Sequence, residues 1–245
     1  MKKIWFFVFL LLPSFALAAP QGQIAGQINL NSIMNSPQFS SSIQMIIGIA
    51  LISLVPFFLI SVTGFLRIII VFSLVRTAIG TQQVPPTSVL VGIAVFMTIF
   101  VMNPVWQEVN KKAIEPYNQG KFSEMQAFKA GSEPLKMFML RQVRENDLAL
   151  FVKFSNIEPP KKAEDVPLYV VIPAFMISEL KTSFQIGFLL FIPFIIIDLV
   201  VANILLSLGM FMLSPVMVSL PFKILLFVLV DGWNLITRGL LMSFR

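Results

Sequence analysis

The 245-residue sequence has no cysteine and no histidine. Without cysteine there is no disulfide, thiolate metal site or cysteine nucleophile. Without histidine the commonest general base and the imidazole metal ligand are missing as well. Charge is also scarce: 12% of the residues are charged, against about one quarter in a soluble domain. No Ser/His arrangement, metal-ligand spacing or phosphate-cradling glycine loop occurs, so neither a metal, a cofactor nor a nucleic-acid partner is expected. What is abundant is apolar: 57% hydrophobic residues, 25 of them phenylalanine, with a mean hydropathy of +0.86. This excludes a soluble globule, a disordered chain and a disulfide scaffold. It points to an all-α integral membrane-type protein with about four long hydrophobic helices of roughly 20 residues per span, plus one modest extramembrane domain.

The chain opens with Lys2 and Lys3, an apolar run from Ile4 to Leu12, Pro13, and then Ala16-Leu17-Ala18. That order reads as a cleaved signal peptide over 1–19. A polar segment follows over 20–42. Residues 43–106 are expected to form a first helical hairpin. Its first arm, Ile43 to Val75, is too long for one ordinary span and is expected to kink at Pro56. Its second arm runs from Val89 to Trp106, an interfacial anchor. Residues 107–166 hold ten Lys or Arg and nine Asp or Glu, 19 of the 30 charges in the chain, so this stretch must be water-exposed. Within it, Glu133-Pro134 resembles a helix start, and one long amphipathic helix is expected from Glu133 to Phe154. The stretch is either a solvated spacer or a partner-docking face. Residues 167–245 are expected to form a second hairpin, with a polar break at Ser178–Ser183, a turn over 207–221 and a final run from Phe222 to Leu241. With the mature N-terminus outside, the turns at 76–88 and 207–221 face the cytoplasm and the charged domain is periplasmic.

Several charges lie in or beside the apolar runs: Arg67, Glu179, Lys181, Asp198, Lys223, Asp231 and Arg238. An unpaired charge facing lipid costs several kcal/mol. Two explanations fit. The charges pair between subunits of an assembly, or Asp198 and Asp231 serve as carboxylates of an ion-coupled transporter or an intramembrane hydrolase.

Four segments carry a family resemblance. They are Arg67-Ile68-Ile69-Ile70-Val71, Gly80-Thr81-Gln82-Gln83-Val84-Pro85-Pro86, the stretch from Pro173-Ala174-Phe175 through Ser178-Glu179-Leu180-Lys181 to Phe188, and the stretch from Leu220-Pro221-Phe222-Lys223 to Asp231-Gly232-Trp233. Together they closely resemble the FliP family of flagellar type III export-gate proteins, related to the SctR proteins of injectisomes. The resemblance covers nearly all of the chain from Ile43. It implies a homo-oligomer, generally a pentamer, joined by FliQ-like and FliR-like subunits, with a place for an FlhB-like one, in the bacterial inner membrane and flagellar basal body. It further implies a conical helical pore complex through which unfolded flagellar proteins are exported. The family's methionine loop falls on Met210, Phe211 and Met212, with Met217 nearby. Thioether side chains are unbranched and adaptable, so such a ring fits a gate that closes and later admits polypeptide. Arg67, Glu179, Lys181, Asp198, Lys223 and Asp231 are then buried charges for subunit packing.

Overall fold

The structure, a computed structural model, describes residues 37–81, 83–157 and 160–244. The expected signal peptide and most of the polar segment lie outside the described residues. The chain divides into two compact units, 1–52 and 53–245. The described part of the first is the N-terminal length of helix α1, Pro37–Val62; the second holds the remainder of α1 and every later helix.

Among the described residues every regular element is helical. After α1 come α2 (Phe65–Ile79), α3 (Thr87–Val109), a π-helical turn (Asn110–Ile114), α4 (Glu115–Asn118), α5 (Glu124–Gln142), α6 (Glu145–Phe154), a 3-10 turn (Ala163–Asp165), α7 (Leu168–Ser207), α8 (Pro215–Leu229) and α9 (Gly232–Met242). By length and composition three helical stretches could cross a membrane: Met45–Val62, Thr87–Asn118 and Leu168–Ser207. A fourth results if α8 and α9, bent by 62°, count as one broken span.

The breaks fall elsewhere than the proline positions suggest. The first arm is two helices, and the interruption is at Thr63–Gly64; Pro56 lies inside α1. Ser61 Oγ donates to the Phe57 carbonyl (2.6 Å) and Thr63 Oγ1 to that of Leu59, a back-bonding pattern that bends helices. A side chain at position 64 has no room: its Cβ would lie 2.7 Å from the Phe244 ring. In the charged stretch, the helix expected from Glu133 begins at Glu124. Ser123 and Gln126 form a reciprocal capping box there, and Pro134 is buried within α5. That helix ends at Gln142, because Val143 and Arg144 are extended and the Arg144 amide is diverted to Ser178 Oγ at 3.1 Å. The expected polar break at Ser178–Ser183 is absent. Helix α7 runs unbroken through it for 40 residues, about 60 Å at 1.5 Å per residue and twice the roughly 30 Å of a bilayer's hydrocarbon core. The final run is broken at Asp231, a non-glycine residue at φ 49°.

Helix α2 packs along α7, with α3 on α2 and α8 on α7. Ile68, Val71, Phe72 and Val75 form its buried stripe at helical spacing. They meet Leu90 and Ala94 of α3, Phe194 of α7 and Phe227 of α8. A second core joins Met102 of α3, Phe138 and Met139 of α5, and Val170, Val171 and Phe175 of α7. Leu220 of α8 comes within 3.5 Å of where a Cβ on Gly80 would sit, so the turns following α2 and α7 lie at the same end of the bundle. Helices α5 and α6 lie against the other end of α7.

Helices α2 and α7 approach closely at Gly187, where an added Cβ would run into Leu74 Cδ1. Gly187→Ala should therefore open the α2–α7 seam and cost about 1–3 kcal/mol as overpacking, read as a lowered melting temperature of the detergent-purified protein. Adding Leu74→Ala should recover part of the loss.

Candidate functional site

The turn carrying the methionines is built by a helix end. Gly209 adopts φ +74°, which glycine reaches without a Cβ penalty. Its amide donates to the Leu206 carbonyl (3.0 Å) and that of Met210 to Leu205 (2.9 Å), the paired bonds of a Schellman motif. Ser214 precedes Pro215 at the first position of α8, a place where proline's missing donor is harmless. The chain is thus turned sharply at both sides of Met210-Phe211-Met212. Phe211 is 75% exposed and Met212 fully so. Met210 and Met217 are also exposed. Among the described residues this apolar tip is largely uncovered.

Below the tip the charges are organised in pairs. Arg67 is 2% exposed, and all five of its N–H donors are used. Nε donates to Glu179 Oε2 (2.9 Å), and Nη2 to Glu179 Oε1 and to Gln142 Oε1 (3.0 Å). Nη1 donates to the Ser243 carbonyl (2.8 Å) and hydroxyl (3.0 Å). The Phe244 ring lies 4.1 Å from the guanidinium carbon. A bidentate guanidinium–carboxylate pair is what allows two ions to be buried together.

A second pair joins α7 to α8: Lys223 Nζ donates to Asp198 Oδ2 at 2.6 Å, and Ser219, one turn before Lys223, donates to the other carboxylate oxygen. The third pair docks the charged domain. Lys181 bonds Asp147 Oδ1, and Ser178 Oγ donates to Asp147 Oδ2 at 2.9 Å while accepting the Arg144 amide. Lys181, hydrogen bonded to Asp147, holds that carboxyl below the usual aspartate range, assisted by Ser178 and opposed by burial. The polar stretch of α7 is thus a docking strip for the α5–α6 junction.

Of the charges singled out in the sequence, Arg67 and Glu179 come together, as do Asp198 and Lys223, with both partners in one chain. The Lys181 side chain is 52% exposed and finds Asp147. Asp231 and Arg238 are exposed. The alternative that gives Asp198 and Asp231 a shared transport or hydrolytic role gains no support: both oxygens of Asp198 accept hydrogen bonds from Lys223 and Ser219. Among the described residues no cluster of acidic side chains could hold a metal. Sequence reasoning missed Gln142, Asp147, Ser219 and Ser243. Asp147 was hidden by its charged surroundings, although Ser219 could have been found from its four-residue spacing to Lys223.

Comparison with known proteins agrees along the chain. The sequence profile of the FliP family matches residues 48–240. The "Flagellar biosynthetic protein FliP" of Bacillus subtilis (strain 168) is 50% identical over 217 residues, covering 89% of this chain and 98% of that protein. The protein of the same name from Caulobacter vibrioides is 48% identical, covering 93% of this chain and 85% of the relative. That of Aquifex aeolicus is 46% identical, with 83% and 86% covered.

The paired charges predict two outcomes. Arg67→Lys keeps the charge but not the five-donor fork, leaving buried acceptors unmet. It should cost about 1–3 kcal/mol, as leaving buried acceptors unsatisfied does, and appear as a lowered melting temperature in detergent. For Asp147, the depressed folded value means that its contribution is full above the ordinary aspartate pKa of about 3.9. The contribution is lost as pH falls from there through the lower folded value. Hydrogen exchange of α6 amides should accelerate in that window, and Asp147→Asn should remove the pH-dependent part.

Proposed function

The chain belongs to the FliP family, and from that premise we propose that it is a core channel subunit of the flagellar type III protein export gate. The match over residues 48–240 carries this reading. Several copies, five in the family's usual arrangement, assemble with FliQ-like and FliR-like subunits, with an FlhB-like export subunit beside them, in the bacterial inner membrane at the flagellar basal body. Unfolded flagellar proteins pass through the centre. The N-terminal signal peptide is removed on insertion, and the α5–α6 domain is periplasmic.

Two observations support the geometry of this reading. Helix α7 is about twice as long as a hydrocarbon core is thick, so part of its apolar flank, including Phe184, Phe188 and Leu199, is left for neighbouring subunits. The apolar tip at Met210, Phe211 and Met212 is largely uncovered among the described residues. In a ring of copies these tips converge to a constriction, where flexible thioethers close against one another and yield to polypeptide of any sequence. Arg67, Glu179, Lys181, Asp198 and Lys223 set the helix surfaces that pack between subunits, and Asp231 contributes at the interface.

Met210→Ala combined with Met212→Ala should raise ion conductance through the purified, membrane-reconstituted complex while the complex keeps its size. Unchanged conductance together with unchanged flagellar export would remove these residues from the gate.

A further inference from the structure

In the apolar segments every described charge has a partner except two. Arg76 donates to the Pro85 carbonyl (3.2 Å) and to Thr87 (3.0 Å), and Arg67, Glu179, Lys181, Asp198 and Lys223 are held in the three ion pairs. Asp231 and Arg238 are exposed, and their side chains make no hydrogen bond or ion pair among the described residues. Seven residues separate them along the chain, about 10 Å at helical rise, with Asp231 at the N-cap of α9 and Arg238 within the helix.

Each sits on a distinct shape. Asp231 is at the α8–α9 bend, in the left-handed conformation, and its carboxylate caps no α9 amide, although capping is the usual use of an aspartate at that position. The three residues before it, Val228, Leu229 and Val230, are 68%, 73% and 51% exposed. The bend is therefore an apolar knuckle with one acid at its tip. Arg238 lies in a cleft of about 850 Å³ between α3 and α9, with apolar walls from Phe100, Pro104 and Leu241 and two amide side chains, Asn103 and Asn234. The cleft is an apolar recess with one base.

We infer that the knuckle of one copy of this chain docks in the α3–α9 cleft of the next, with Asp231 paired to Arg238 across the contact. Knuckle and cleft match in polarity and are opposite in charge. Knuckle and cleft are unlike elements of one chain, the α8–α9 bend and the α3–α9 groove, and a contact between unlike elements is head-to-tail and can repeat around a ring. A second copy of this chain offers both an acid and a base, so each contact around a ring pairs one of each. The inference rests on the reading of the chain as a multi-copy gate subunit.

The native chain has no cysteine, so introduced thiols report alone. Two differently tagged copies, one D231C and the other R238C, are co-expressed, and the intact complex is treated with a short bismaleimide. The expected product is a cross-linked pair carrying both tags, absent when either variant is expressed by itself. An intact multi-copy complex without the mixed pair, or with D231C joined to a different protein, overturns this inference and leaves the gate reading standing. A chain isolated only in single copy overturns both. As a second measurement, Asp231→Arg and Arg238→Asp should each lower the yield of multi-copy complex about tenfold or more, since like charges across an interface cost several kcal/mol. The double reversal should restore it, and a double variant no better than the singles overturns the pairing.

Discussion

The guanidinium of Arg67 is buried where water cannot compensate it, so each of its N–H groups must find an acceptor in the fold. Those acceptors come from α7, from the end of α5 and from the segment after α9, which lie 75 to 176 positions along the chain from Arg67. Among helices suited to apolar surroundings this matters more than apolar contact. Lipid tails are as apolar as leucine, so burying leucine against a neighbour gains little. Directional bonds to a single cation, by contrast, specify which helices meet and at what height. The break at Gly64 belongs to the same arrangement, because the Phe244 ring that covers Arg67 occupies the space a Cβ there would need.

From this node the bundle extends two ways along α7. Toward the charged domain, Ser178 and Lys181 turn one face of an apolar helix into a polar strip, and the extended Val143–Arg144 link inserts its amide and Asp147 into that strip. Toward the turn at 208–214, the seam narrows at Gly187 and is held again by Lys223 and Asp198. The aromatic contacts of Trp233 with Phe72, at 6.2 Å, and with Phe227, at 5.3 Å, support the bend between α8 and α9. Among the described residues no buried side-chain polar atom lacks a partner. The charges that look intolerable along the sequence are accounted for by one another, apart from the two at α9.

The helical, membrane-type architecture was legible because hydropathy and charge separate cleanly along the chain. The breaks were not, because they are set by tertiary demands. Pro56 and Pro134 sit inside helices, while Gly64 interrupts one for the sake of an aromatic ring far along the chain. Ser178–Ser183 looks like a loop in one dimension and is a docking strip in three. The charged residues of the site could be named from their apolar surroundings, but their partners could not. Gln142, Asp147 and Ser243 lie in segments where polar residues are commonplace. The methionine turn was legible through Leu208-Gly209-Met210, since glycine just past a long helix is the ordinary signal for its end.

Helix α7 is also a rod held at three heights. Glu179 and Gly187 fix it to α2 and Asp198 fixes it to α8, attachments that span about 28 Å at 1.5 Å per residue and leave about 14 Å of helix beyond Asp198. A rod held over so much of its length does not swing on any one attachment, so the methionine tip is carried at the end of a short, stiff overhang.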